Sequence, residues 1–409
     1  MISMKGKQVL LGVTGGIAAY KAAFLARELM RTGAAVTTVL TESAGKFITP
    51  LTFESLTERP CRTDDDMFGG LSGETHISLA RDKDLLVIAP ATATTIASLA
   101  LGTASNLLTA TVLASRCPIV LCPAMHTQMW ESVPVRRNID LLMQDPRYVV
   151  VPPDEGDLAS GDHGPGRLPD ASRIVAHCLA ALTPRTLAGK TVVVTAGPTR
   201  EQIDPVRCIT NPSSGRMGFF LAESARRRGA DVRLILGPCD ISPDFGGPGG
   251  TFTVTRVQTT TEMLEAVREA INGADALLMS AAPADERPVR RASGKIRKED
   301  FETSIEIEPN PDILATLSAS TAGMVVLAFA AETSVSEDMA RVKMKRKGAD
   351  LLFANPAGDG KGFGDVRNGG TLVAADLAEV LTIEDESKES LAEILVDAVV
   401  DAMNRKAGR

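Results

Sequence analysis

Thr191 to Gly237 reads TVVVTAGPTREQIDPVRCITNPSSGRMGFFLAESARRRGADVRLILG, and the order of its residues decides the fold class. Val192, Val193 and Val194 form a continuous β-branched run, the pattern of a strand buried on both faces. Small and turn residues follow at once (Ala196, Gly197, Pro198), and Asn211-Pro212-Ser213-Ser214-Gly215 then turns into a helical pattern. Phe219, Phe220, Leu221 and Ala225 mix there with Arg226, Arg227 and Arg228, and Gly229 stands where a helix-ending glycine belongs. Val232 to Leu236 is the next strand. The unit is β–loop–α–β with a long first loop. Open parallel sheets bind ligands beyond the carboxyl ends of their strands. Ser213, Ser214 and Gly215 suit a phosphate there, because free N–H groups and the helix dipole favour an anion.

Working outward, the chain is long enough for two cores: 409 residues, 44% hydrophobic and 23% charged. A net charge of −7 argues against a nucleic-acid protein, and with one Trp and two Tyr, stacking platforms for single strands are not expected. The six cysteines (61, 117, 122, 178, 208 and 239) form no C-x-x-C pair, and the four histidines are not spaced as zinc ligands. Met1 to Lys7 is short and polar, without a signal-peptide pattern, and no apolar run reaches the roughly 20 residues of a membrane span. The expectation is a cytoplasmic, reduced protein with no membrane partner.

The first half begins like the second. Lys7 to Val13 reads as a strand, Thr14-Gly15-Gly16 as a tight turn, Ile17 to Arg31 as a helix stopped by Gly33, and Val36 to Leu40 as the second strand. The spacing in GGIAAYK is not that of a P-loop, but Thr14 and the glycine N–H groups could hold a phosphate. Thr41 to Ser43 offer hydroxyls to the same ligand. Leu85 to Ala89 and Ile119 to Cys122 are further strands, ending in Pro90-Ala91-Thr92 and Pro123-Ala124-Met125-His126. Asp154 to Asp170 is rich in Gly, Asp and Pro and reads as a loop, followed by a helix from Ala171 to Leu182. Thr183 to Lys190 reads as a linker, which sets domains at 1–188 and 189–409. Beyond it, Asp240 to Gly250 and Gly358 to Gly370 read as exposed or flexible loops, Ser304 to Glu308 and Met324 to Ala328 as strands, and Met339 to Gly348 as a basic helix. The two halves read as unrelated doubly wound α/β domains.

The wording of the loops adds a family. GPTREQIDPVRCITNPSSGRMG resembles the signature of the CTP-dependent phosphopantothenate–cysteine ligases of coenzyme A biosynthesis. GVTGGIAAYK, the His in GETHISLA, APATATTIA, PAMHTQMW and ASGDHGPGR resemble the motifs of flavin-dependent cysteine decarboxylases. The resemblance implies a flavodoxin-like FMN domain ahead of a Rossmann-like ligase domain. Oligomers built on trimers, up to a dodecamer with ligase dimers, and flavin sites between subunits are implied with it. The substrates implied are 4′-phosphopantothenate, cysteine and CTP.

A carboxylate is a poor electrophile. Attack of 4′-phosphopantothenate on the α-phosphate of CTP would give an acyl cytidylate and pyrophosphate, and the cysteine amine would then displace CMP. Both steps build negative charge, so cations and N–H donors must be aimed at it. By resemblance Lys295 in SGKIRK is the activating cation, Asp285 in PADE binds CTP or its Mg²⁺, and Asn211 donates to a carbonyl or phosphoryl oxygen. Lys343, Lys347, Phe329 and the run Pro311-Asp312-Ile313-Leu314 match the nucleotide pocket.

For the decarboxylase the resemblance makes Thr14, Gly15, Gly16, Thr41, Pro90, Ala91, Thr92 and Met125 the FMN contacts and His76 the base. Two slots depart from the family pattern: His126 replaces an Asn that grips the substrate carboxylate, and Ser160 replaces a Cys that protonates the intermediate in the final reduction. A serine is a far weaker acid than a thiol. Three alternatives stay open: an active ligase whose impaired flavin domain is an oligomerisation scaffold, a decarboxylase that stops at the enethiol, and a flavoprotein module that regulates a partner.

Overall fold

The computed structural model describes residues 4–68, 75–241, 249–297, 304–332, 336–356, 358, 367–376 and 380–408. Most of the Asp240–Gly250 and Gly358–Gly370 loops, expected to be exposed or flexible, lies outside these residues. The chain divides into two compact units, which separate between Pro184 and Arg185.

The N-terminal unit is built on β1 (Gln8–Val13), β2 (Ala35–Leu40), β3 (Leu85–Ala91), β4 (Ile119–Pro123) and β5 (Tyr148–Val150). They form a five-stranded sheet in the order β2-β1-β3-β4-β5, with every pairing parallel. The order reverses between β1 and β3, the doubly wound arrangement expected from the sequence. The apolar runs are continuous because both faces are covered. Val9, Leu11 and Val13 pack with Leu25 and Leu29 of the helix Lys21–Arg31 on one face. Leu10, Leu86 and Ile88 pack with Ile96 and Leu108 on the other. Each fully buried Leu or Ile contributes about 1.5–3 kcal/mol. The first turn of the expected Ile17–Arg31 helix is a 3-10 turn, Ile17–Tyr20, a tightening common at helix starts. The stretch Asp154–Asp170 is more ordered than expected. It carries an antiparallel pair, β6 (Asp154–Asp157) with β7 (His163–Arg167), held by backbone bonds and hence invisible to side-chain patterning.

The C-terminal unit contains β8 (Thr191–Ala196), β9 (Arg200–Gln202), β10 (Cys208–Thr210), β11 (Asp231–Leu236), β12 (Phe252–Arg256) and β13 (Ala276–Met279). It continues with β14 (Glu286–Pro288), β15 (Ile307–Pro309), β16 (Val325–Glu332), β17 (Leu351–Pro356), β18 (Asn368–Ala374) and β19 (Leu381–Glu386). Its main sheet runs β12-β11-β8-β13-β16-β17-β18-β19, parallel as far as β17 and antiparallel for the last two. The valine run of β8 divides by parity: Val192 and Val194 face the cluster that includes Leu221 and Leu395, and Val193 faces Met263 and Leu277. The expected strand Ser304–Glu308 is shorter, Ile307–Pro309, and pairs with β14 rather than with the main sheet. β18 takes in the end of the glycine-rich loop. A Cβ on Gly370 would lie 2.3 Å from the Ala354 carbonyl oxygen, so only glycine lets β18 lie this close to β17.

Candidate active sites

In the N-terminal unit a cavity of about 790 Å³ opens at the carboxyl ends of the parallel strands. Its lining takes Gly15 and Gly16 from the turn after β1, Thr41 and Ser43 after β2, Pro90 and Thr92 at the end of β3, and Met125 and His126 after β4. Leu158, Ala159 and Ser160 from the turn between β6 and β7 close one side. The two glycines of the first turn have different surroundings: Gly15 is packed against Ser43, and Gly16 faces open space. A Cβ on Gly15 would sit 2.3 Å from the Ser43 Cβ, while one on Gly16 would meet only Thr92, at 3.8 Å. The cavity wall combines the hydroxyl residues Thr41, Ser43 and Thr92 with apolar side chains such as Met125, Met129 and Leu168.

Two expected cofactor contacts lie beneath the cavity rather than in it. Thr14 is buried; its hydroxyl donates to the Pro90 carbonyl at 2.7 Å and accepts the Thr92 amide at 3.0 Å, so it ties the two loops together. Ala91 is likewise fully buried in the core and absent from the lining.

His126 and Ser160 meet. His126 Nδ1 accepts the Gln128 amide at 3.3 Å, which leaves Nε2 as the ring's donor. Nε2 lies 2.8 Å from Asp162 Oδ2 and 3.2 Å from Ser160 Oγ, and Ser160 donates to the same Asp162 oxygen at 3.1 Å. These bonds, from His126 first and Ser160 second, hold the Asp162 carboxyl below the usual carboxylate range. Asp162 was missed in the sequence, although it stands inside the quoted ASGDHGPGR motif. His76, near the start of the helix Thr75–Arg81, does not line this cavity. Its Nδ1 is buried with no hydrogen-bond partner among the described residues.

In the C-terminal unit a cavity of about 360 Å³ lies over the start of the helix Arg216–Arg227. Asn211, Ser213, Ser214, Arg200, Arg216 and Cys239 line it. Arg200 and Arg216 also line the cavity at this helix start, with Asp240 in the same lining, and residue pattern alone did not single them out.

A line of hydrogen bonds connects Asn211 to other expected ligase residues. Its Nδ2 donates to the Ala282 carbonyl at 3.3 Å and the Pro283 carbonyl at 3.0 Å. The amide donor expected to reach a ligand is therefore taken up by the backbone before Asp285. The Asn310 amide donates to the Asp285 carbonyl at 2.7 Å, and Asn310 Nδ2 donates to Ala284 O at 2.9 Å. Pro311 follows, and Asp312 caps the helix Ile313–Leu317 by accepting the Ala315 amide at 3.1 Å. Lys347 lies 3.7 Å from Asp312. Asp285 itself is exposed.

Ile313 and Leu314 do not face a ligand. They are buried in the core with Met263 and Leu317, because their short helix turns its apolar side inward. Phe329 packs edge-on against Phe353 at 5.7 Å between ring centroids and is partly buried. Lys343 and Lys347 share the helix Glu337–Lys347. Lys295 is exposed, on the connection after β14. It does not line the cavity that holds Asn211. Among the described residues no group of three or more His, Cys, Asp or Glu side chains is arranged to hold a metal.

Residues 2–183 match the family described as Flavoprotein. Residues 187–403 match the DNA/pantothenate metabolism flavoprotein C-terminal domain. The protein named coenzyme A biosynthesis bifunctional protein CoaBC in Vibrio cholerae is 40% identical over 411 residues, covering 98% of this chain and 100% of its own. The proteins of the same name in Mycobacterium bovis and Bacillus subtilis are each 41% identical, covering 96% and 88% of this chain and 96% and 89% of their own. Two α/β units, each with a cavity at the carboxyl ends of its strands, and similarity that runs the length of both place this chain in the family of coenzyme A biosynthesis bifunctional proteins.

Proposed function

We propose that this chain joins cysteine to 4′-phosphopantothenate at the expense of CTP and then decarboxylates the product to 4′-phosphopantetheine. The ligase is assigned to residues 189–409 and the flavin-dependent decarboxylase to residues 1–188. The observation that carries this reading is the span of the similarity: the Vibrio cholerae relative, named bifunctional, is matched over its whole length, so counterparts of both halves stand on one chain in one order. That span speaks against a regulatory module and does not favour an impaired scaffold.

In the ligase half, Lys295 is the cation that meets charge developing on the α-phosphate, and the Ser213–Ser214 helix end with Arg200 and Arg216 receives phosphate oxygens. Asn211 holds the 282–285 segment so that Asp285 faces CTP. No group of three metal-ligating side chains is found among the described residues, so Mg²⁺ would be carried mainly by the triphosphate, beside Asp285. Lys343, Lys347 and Phe329 border the nucleotide.

In the decarboxylase half the open cradle at Gly15 and Gly16, with Thr41, Pro90, Thr92 and Met125, fits FMN. Bound FMN would supply a two-electron sink for the substrate's cysteine-derived carbons and return the pair after CO₂ has left. His126 is assigned to the substrate carboxylate, which would take over the Nε2–H that Asp162 accepts in this structure. His76 moves a proton as base. Because it lies outside its own chain's cavity, a second copy of the chain brings it to the flavin, which makes the protein a homo-oligomer. We place the enzyme in the cytoplasm; no helix among the described residues is long and apolar enough to cross a membrane.

His76→Asn tests the base. CO₂ release from phosphopantothenoylcysteine is expected to fall by at least about a hundredfold, the usual worth of a positioned general base. Release at the wild-type rate removes His76 from the mechanism.

A further inference from the structure

The segment that carries Lys295 is not held by its own secondary structure; it lies between β14 and β15 and is tied elsewhere. The Ala292 amide donates to the Ile203 carbonyl at 2.9 Å. The Ile296 amide donates to Asp204 Oδ2 at 3.3 Å, and the Ile296 carbonyl accepts from Arg207 Nη1 at 3.4 Å. Lys295 therefore sits between two anchor points on the turn that joins β9 to β10. That same hairpin leads directly into Asn211.

We infer that Asp204 is the positioning residue for Lys295 in the ligase reaction. The inference rests on the ligase reading above. The Asp204 side chain is fully buried and is a carboxylate. Its Oδ1 accepts the Val206 amide at 2.7 Å and the Arg207 amide at 2.8 Å, which alone would close the turn. An asparagine or serine builds such a turn equally well. The second oxygen does something else: it accepts the Arg207 guanidinium at 2.7 Å and reaches an amide 92 residues further along the chain. Burial alone would push this carboxyl up; the Val206, Arg207 and Ile296 amides and the Arg207 charge reverse that and hold it below the usual range. A buried anion with every lone pair engaged has one geometry available, and it passes that geometry to the backbone on which Lys295 stands. A flexible exposed lysine on an untied loop would have to be ordered anew at each turnover.

Asp204→Asn is the discriminating change. The amide oxygen keeps the two turn bonds, while its NH₂ replaces an acceptor with a donor facing the Ile296 N–H and Arg207. CTP-dependent joining should fall about tenfold to a hundredfold in kcat, the loss typical of a misplaced catalytic group, with KM for CTP within about twofold of wild type. In a Lys295→Gln background the same change should cost nothing further, because there is no longer a lysine to place. A merely structural role would cost the same in both backgrounds, and that result overturns the inference. Ile296→Pro removes the tether's N–H without touching Asp204, and should reproduce both the loss and its disappearance beside Lys295→Gln. Should Asp204→Asn fail to fold, this variant decides: a wild-type rate or an additive loss overturns the inference. If the wild-type protein consumes no CTP, the ligase reading falls. If the wild type and Lys295→Gln differ as expected but Asp204→Asn matches the wild type, only the role of Asp204 falls.

Discussion

Lys295→Gln is expected to lower CTP-dependent joining of cysteine to 4′-phosphopantothenate by at least about a hundredfold, the usual cost of removing one preorganised charge stabiliser. The glutamine keeps a stem of similar reach and loses the charge, so the change isolates the electrostatic role. Lys295 is exposed and makes no ion pair among the described residues, so nothing in the fold depends on its charge. The full chain should keep its wild-type melting profile while pyrophosphate release collapses. A wild-type rate of pyrophosphate release would remove Lys295 from the chemistry.

Glu393→Ala is expected to destabilise the C-terminal unit by about 3 kcal/mol, the low end for stripping a partner from buried charges. Arg226, Arg227 and Arg228 are consecutive and buried, and Arg227 and Arg228 reach from the end of the helix Arg216–Arg227 to the helix Lys388–Ala407. Glu393 receives Arg227 and Arg228, each at 2.6 Å. The loss stays at the low end because Glu223 still pairs with Arg227 at 2.9 Å and Asp397 with Arg228 at 2.6 Å. Denaturation followed by a probe in the C-terminal unit measures it. Acid supplies a second arm. Burial works against the Glu393 charge, but Arg228 and Arg227 outweigh it and leave its pKa below the ordinary value. A carboxyl depressed in the fold contributes stability above its unfolded pKa, about 4.3, and loses it as pH falls through the folded value. The gap between wild type and Glu393→Ala should therefore narrow as pH drops below about 4. Glu223, raised chiefly by desolvation, works in the opposite sense in both proteins. A gap that stays constant down to pH 3 would contradict the role of the ionised pair.

Much of this was legible in the residues. Parallel strands buried on both faces leave continuous apolar runs, so β1, β3, β4, β8 and β11 could be read directly. Helix ends marked by Gly33 and Gly229 could be read as well; both glycines have positive φ. The pair β6–β7 could not, because Gly, Asp and Pro carry little strand preference and the hairpin is made by backbone bonds. The edge strand β12 was missed for a related reason: its burial is shallow, so TFTVTR lacks a core-facing pattern. At the sites, motif wording located the neighbourhoods but not the job of each side chain. Thr14, Ile313 and Leu314 stand in ligand-binding motifs, yet packing turns them into the structure beneath. Asn211 is at its cavity, yet its amide is engaged by Ala282 and Pro283. Such partners lie about 70 to 90 residues away along the chain, beyond the reach of any local pattern.

The most direct test of the account is the mass of what the pure protein makes from 4′-phosphopantothenate, cysteine, CTP and Mg²⁺. It predicts CMP and pyrophosphate in equal amounts, one CO₂ for each, and an end product with the mass of 4′-phosphopantetheine. Cysteine left unjoined, or a joined product that still carries its carboxyl group, would contradict the claim that one chain performs both steps.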